Sequence, residues 1–483
     1  MIDPAIPLNL FKLTRPPLID MGASERIHAL AKKILAEIGM EVRQPNYQEK
    51  LRASGLRVDG ERVYFEPAFI DAFVDSFRQR TRQSLGTPAP ADDGRIYMSA
   101  SSYSLFVHDL KTGSVVPYTS EALVEMTKLI DSLADEGIGG APPGIPTDVH
   151  PDLQPLAQYR IAALYARQGA TPVDPTSAKT VRYLFEMADV MGRPFDSLPV
   201  YIPTPLRLGG ESLDVVMACL DRLDSIWVSS MPSTGTSAPV HPFGAMALAA
   251  AEVIGGAAAV HILTGKPVGF SAQICPADLR EGSMVFGSPE NMLFQMLAAD
   301  FNQFYGRSSA AAPDNIHVMA KLPDCQSAAE KAAIMMLGAA LGARHFSCAG
   351  TLSLDEIFSP EQLLLDCEIR DWVQRAIHGV WLGETAGELR SLDDWMADLR
   401  AGIQNGFISR DSTLDFYRQH TWYPKFFQRG AVGPWLSQDR PSLSARLQAD
   451  ARRRIAAHHF ELDAARRREI ERIYASAQQA VGE

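Results

Sequence analysis

Between residues 265 and 309 a short apolar run, Val268 to Ala272, breaks into a turn carrying Gln273, Cys275 and Asp278. A helix follows behind Ser288-Pro289, with Glu290 in its first turn. The same arrangement, polar residues just past a short apolar run, recurs along the chain. It places Tyr103, Asp174, Thr204, Ser233, Asp314 and His317 after such runs, with His345, Phe346 and Cys348 on the last of them. Amide, carboxylate, imidazole and phenol groups in such positions bind a small polar or charged molecule when they converge. The aromatic residues Tyr103, Trp227, Phe270 and Phe346 add faces of the kind that attract a methylated cation. Each residue type also serves as an ordinary turn, cap or core residue, so only their gathering in one place makes a site.

Other chemistries have weaker support. A zinc or iron centre needs converging His, Cys or carboxylate ligands. His317, His345, Cys275 and Cys348 are the candidates, but no local His-x-x-x-His pair supports them, and no resident metal is expected. A Gly-x-Ser-x-Gly nucleophile elbow is absent, as is a Gly-x-x-x-x-Gly-Lys-Ser/Thr phosphate loop.

The elements that position these residues alternate. Eight strand-type runs stand at Ile96–Ser101, Gly137–Ala141, Ala170–Val173, Pro199–Thr204, Ser225–Ser230, Pro267–Ala272, Ser308–Ala312 and Ala343–Cys348. Helix-type segments separate them, among them Phe243–Leu263 and Glu290–Phe304. This is the outline of an α/β fold, a (β/α)8 TIM barrel whose site lies where the strands end. A doubly wound open sheet is the competitor, but no Gly-x-Gly-x-x-Gly turn follows the first strand. The expected division is a helical and hairpin extension over residues 1–94, the barrel over 95–355 and C-terminal helices over 356–483. Within the extension, Ser24 is expected to cap a helix to Ile38 and Asp59-Gly60 to turn a hairpin. At the far end, one long helix is expected from Pro441 to about Ala480.

Composition bounds the partners. A net charge of −11 argues against a nucleic-acid surface. The basic stretch Arg446 to Arg472 has acids interspersed at helical spacing and reads as a solvated helix face. The longest apolar stretch, Phe243 to Leu263, contains Glu252, His261 and several glycines, so it reads as a buried core helix and not a membrane span. Five widely spaced cysteines and no basic, then apolar, leader suggest a cytoplasmic protein with reduced thiols. The Ala-rich helices suit a homo-oligomer.

The order of several stretches resembles the trimethylamine:corrinoid methyltransferase family, in the branch without pyrrolysine that includes glycine betaine methyltransferases. The stretches are Ile27 to Gly39, Ala53 to Gly60, Pro239 to Val253, Gly287-Ser-Pro-Glu, Pro323 to Lys331, Leu365-Asp-Cys-Glu-Ile and Phe416 to Arg429. The resemblance spans roughly residues 20 to 475 and rests on order and spacing. It implies a (β/α)8 barrel that moves a methyl group from a quaternary or tertiary amine to the cobalt of a corrinoid held by a cognate partner protein, with no tightly bound cofactor of its own. The methanogen enzymes carry pyrrolysine near the seventh strand. Ala310 to Lys321 holds only ordinary residues, which turns the expectation from trimethylamine toward a betaine.

On that resemblance, His345, Gln273 and His317 are the expected catalytic residues, binding the substrate carboxylate or lying against the corrin. Tyr103 and Phe346 are expected to hold the ammonium. Asp174, Asp278, Glu290 and Asp314 are expected to hold the positive nitrogen or brace the loops. Two other classes remain open at this point: a metal-dependent barrel lyase or hydrolase, and a non-catalytic methylated-amine-binding protein.

Overall fold

The computed structural model describes residues 10–84, 92–170, 173–307, 312–379, 391–437 and 441–482. Six of the eight expected strands form, and they form two parallel ribbons. One ribbon runs His345–Ala349, Tyr97–Ala100, Ile138–Gly139. The other has Ser225–Ser229 at its centre, flanked by Ser197–Tyr201 and Val268–Ser271. The expected third and seventh strands, Ala170–Val173 and Ser308–Ala312, fall largely on 171–172 and 308–311, outside the described residues. Among the described residues the architecture is mixed α/β, with sixteen α-helices and several small sheets, and no closed ring of strands.

Alternation along the strands sorts side chains onto two faces. In the second ribbon Val200, Val228 and Phe270 are fully buried and pack in one core with the Ala-rich helix Pro242–Thr264. Each contributes roughly 1.5–3 kcal/mol by leaving water. The opposite face carries two rungs set by the register: Pro199, Trp227 and Gly269, then Tyr201, Ser229 and Ser271.

The Ala-rich helix starts at His241, whose Nδ1 accepts from the Phe243 N–H, and ends at the left-handed Gly265. Small side chains let it touch neighbours on all sides. A Cβ at Gly255 would stand 2.5 Å from Leu35, and one at Gly256 would stand 2.7 Å from Ile202. The helix is long and apolar enough to cross a membrane, yet 83% of its apolar window is buried within the protein, as expected of a core helix.

The N-terminal elements pack on this helix. Helix Met21–Glu37 starts at Asp20, whose side chain accepts from Ala23 N–H at 2.7 Å. The expected cap, Ser24, lies inside the helix and donates to the Asp20 carbonyl. Strand Met40–Val42 pairs with the hairpin Arg57–Asp59/Arg62–Tyr64 and, in parallel, with Arg207–Leu208 beyond the fourth expected strand. N-terminal residues such as Leu35, Met40 and Phe65 share one core with the second ribbon.

The expected long terminal helix is two helices, Leu443–Ala456 and Ala464–Val481. The break is anchored by His458, whose buried ring reaches the Tyr165 carbonyl at 2.9 Å. Asp463 restarts the helix by capping Arg466 N–H. Charged residues of both helices bind the body of the fold: Arg454 pairs with Glu136 at 2.9 Å and Glu471 with Arg160 at 2.7 Å.

Candidate functional site

The two ribbons meet at one carboxylate. Tyr103 stands three residues beyond strand Tyr97–Ala100, and Tyr201 is the last residue of strand Ser197–Tyr201. Both phenols donate to Asp174 Oδ2 at 2.5 Å, and their hydroxyls lie 3.5 Å apart. Both tyrosines stand where an observed strand finishes or just beyond. The tyrosines are each 45% exposed, yet loss of water around them raises both phenols well above their usual range, with the Asp174 charge adding to the shift. The cluster is therefore reachable from solvent although neighbouring protein desolvates its hydroxyls. It presents a carboxylate between two electron-rich rings, the chemistry that attracts an organic cation.

Tyr201 was not among the expected residues. The fourth strand was drawn to Thr204, but Pro203 and Pro205 cannot extend the ladder, and the strand stops at Tyr201. Thr204 instead donates at 2.7 Å to Glu252 Oε1, which also accepts Leu206 N–H at 2.9 Å. Glu252 is fully buried in the Ala-rich helix, and burial raises its carboxyl. It thereby holds the turn that follows Tyr201.

Gln273 lies two residues past Ser271, at the same end as the tyrosines, half-buried and without a hydrogen bond among the described residues. The His317 ring is buried in the loops near the eighth strand. The loops after the expected seventh and eighth strands are stitched together by Leu354 N–H to Val318 O and Ser353 N–H to Ala320 O, each 2.8 Å. Cys348, Ser353 and Leu354 take left-handed backbone angles there, a costly conformation that the surroundings must enforce. A fully buried Lys331–Asp366 pair at 2.8 Å does part of this, with Asp366 also accepting Gly350 N–H at 2.7 Å. His317 packs edge-on against Phe286 at 5.1 Å. Both its ring nitrogens are buried without hydrogen bonds, and Asp355 stands 3.9 Å away, too far for one. Burial first, and then the Lys331 charge, lower its pKa to about 3, so the ring is neutral.

Other expected residues lie elsewhere. His345 is the first residue of its strand, paired with Tyr97, and so stands at the end opposite Tyr103 and Tyr201. Phe346 is fully buried in the helix-facing core, where a Cβ on Gly338 would come within 2.8 Å of it. Its ring offers no face to a ligand at Asp174. Asp278 closes the small hairpin Ala277–Asp278/Ser283–Met284 with Arg280, which lowers its carboxyl to about 2. Glu290 is an exposed acid in the first turn of helix Pro289–Gln303. Asp314 lends its carbonyl to Ser347 N–H at 3.0 Å. Its own carboxyl is raised by burial, against a smaller opposing effect of His345. Cys275 and Cys348 are buried thiols raised to about 12. No group of three or more His, Cys, Asp or Glu residues suited to a metal gathers among the described residues.

The sequence as a whole belongs to a known class. The sequence profile of the trimethylamine methyltransferase family (MTTB) matches residues 10–482. The chain belongs to that family, and so to the methyltransferases. Its relatives include the trimethylamine methyltransferase MttB of Methanosarcina thermophila, 24% identical over 87% of this chain and 88% of the relative. The glycine betaine methyltransferase of Desulfitobacterium hafniense (strain Y51) is also 24% identical, over 89% of each chain. Among solved structures, the Methanosarcina barkeri monomethylamine methyltransferase MtmB aligns over 94% of this chain and 91% of its own, with a TM-score of 0.45 and 12% identity.

Proposed function

We propose that this protein transfers a methyl group from a quaternary amine of the betaine class to a corrinoid carried by a partner protein. The observation that carries the reading is the Asp174 carboxylate held between Tyr103 and Tyr201. A quaternary ammonium has no N–H to donate, so it is recognised by charge and by ring faces, and this site offers both. The names of the two relatives support an amine methyl donor.

We also infer that the two ribbons are arcs of one (β/α)8 barrel. The ribbon orders support this, as does a parallel bridge from Asn315 to Ser347 beside the eighth strand. We infer a cytoplasmic location, a reading that the unpaired cysteines support.

The chemistry asks little of an acid or base. The carbon–nitrogen bond breaks, its electron pair stays on nitrogen as a neutral tertiary amine, and the methyl carbon passes to reduced cobalt, which supplies the new bond's electron pair. No proton moves. Asp174 therefore grips the cationic substrate more strongly than the neutral product, and its contribution is to binding and orientation. The phenols, raised above their usual range, stay protonated and hold the carboxylate in place. Tyr103 and Tyr201 stand at or just past strand ends and hold Asp174 there, so a methyl on the bound ammonium faces the side open to a macromolecular acceptor.

The test is an anaerobic absorbance assay with reduced cobalamin and a panel of methylated amines. Conversion with a quaternary amine and none with trimethylamine supports the reading. Tight amine binding without conversion replaces it with a non-catalytic binding protein.

A further inference from the structure

On the face of the second ribbon that carries Tyr201 packs an arginine with no acid among the described residues. Arg307 follows helix Pro289–Gln303, before the expected seventh strand, and its guanidinium lies 4.6 Å over the Trp227 ring. Trp227 is one rung below Tyr201 in the register, toward the end where the strands begin. Arg307 is half-buried, and no carboxylate or hydrogen-bond acceptor reaches its side chain among the described residues. Comparable arginines are paired: Arg370 with Asp371 at 2.7 Å, Arg454 with Glu136 at 2.9 Å and Arg15 with Asp300 at 2.8 Å. Burial without a counter-ion lowers the Arg307 pKa. A desolvated guanidinium without an anion is expensive to keep, and its fork of donors matches a carboxylate.

Arg307, over Trp227, and Asp174, on Tyr201, stand by neighbouring rungs of one face. One rung spans roughly 7 Å along a strand. The rung of Tyr201 is otherwise Ser229 and Ser271, and Trp227 lies flat beside Gly269, where a Cβ would come within 2.4 Å of the indole.

We propose that Arg307, stacked on Trp227, receives the carboxylate of a zwitterionic quaternary amine whose ammonium lies against Asp174, Tyr103 and Tyr201. This rests on the betaine reading of that site and adds to it the substrate's second charge and its direction. The anionic end points inward, and the methyl-bearing end points to the mouth. Simple quaternary cations then lack half of the recognition.

The test measures calorimetric affinity for glycine betaine and for tetramethylammonium, with wild type, Arg307→Gln and Arg307→Lys. Removing one partner of a desolvated charge pair weakens binding by roughly 30-fold or more. Arg307→Gln is expected to lose that factor for glycine betaine while changing tetramethylammonium affinity less than threefold. Arg307→Lys, which keeps the charge but not the fork, is expected to fall between. Loss of both ligands together, or of neither, overturns the assignment of Arg307. If wild type binds tetramethylammonium and glycine betaine equally well, the carboxylate has no partner and this proposal fails, while the ammonium reading stands. If wild type binds no quaternary amine, both fail. Thermal melts of the variants separate lost binding from lost folding.

Discussion

Tyr103 and Tyr201 come from different ribbons, yet their hydroxyls meet 3.5 Å apart over one oxygen of Asp174. The two halves of the fold thus share a single carboxylate. Movement of either ribbon changes the spacing of the rings, so the site reports on the packing of both.

The ring and the hydroxyl of Tyr201 make separable contributions. Tyr201→Phe keeps the face and loses one donor to Asp174, and a rise of only a few-fold in KM for glycine betaine is expected. Tyr201→Ala removes the face as well, and a rise of roughly 10- to 30-fold is expected. Steady-state kinetics of the two variants with reduced cobalamin decide this. Equal effects would mean that the ring face does not meet the cation.

Glu252 links the Ala-rich helix to the turn after Tyr201. Glu252→Gln keeps the oxygen that accepts from Thr204 and Leu206 and should change stability by less than about 1 kcal/mol. Glu252→Ala leaves both donors buried and unpaired beside a cavity, at a cost of roughly 2–4 kcal/mol, and should also raise KM, because Tyr201 loses its support. Urea unfolding with a parallel KM measurement checks both parts.

His317 predicts a dependence of stability on acid. Its folded pKa of about 3 lies below the ordinary value of 6.5. Between those values the unfolded chain binds the proton and the folded chain does not, so stability is complete above pH 6.5 and falls as pH drops toward 3. The groups near the ring are Asp355, Phe286 and the Lys331 charge. Burial raises the Asp355 carboxyl, so it is a weak counter-ion for a protonated ring in this range. Between pH 6.5 and 4.5 the loss from this residue is roughly 2 kcal/mol. Melting temperatures of wild type and His317→Gln over that range should converge as pH falls. Parallel curves would contradict the assignment.

Much of this was legible in the sequence, for identifiable reasons. Alternating apolar runs and helices gave strands and helices near their observed positions, because buried strands and amphipathic helices carry strong periodic signals. Asp174 and Tyr103 were legible as polar residues just past apolar runs. Tyr201 was missed through a strand end drawn three residues late, across prolines that should have stopped it. His345 lies on the expected strand, but at its beginning, where a residue faces the opposite end of the fold. Phe346 has the parity of the helix-facing core, and parity cannot be read until the register is known. Arg307 carried no sequence signal at all. What singles it out is the lack of an acid partner among the described residues, which appears only in three dimensions.

Glycine betaine saturation of wild type and Asp174→Asn, followed anaerobically by consumption of reduced cobalamin, tests the central claim most directly. Wild type should methylate cobalamin. Asp174→Asn should need roughly 10- to 100-fold more betaine for the same rate, with a maximal rate that changes far less. An Asp174→Asn curve that overlays wild type, or a wild type inactive with every quaternary amine, would contradict the account.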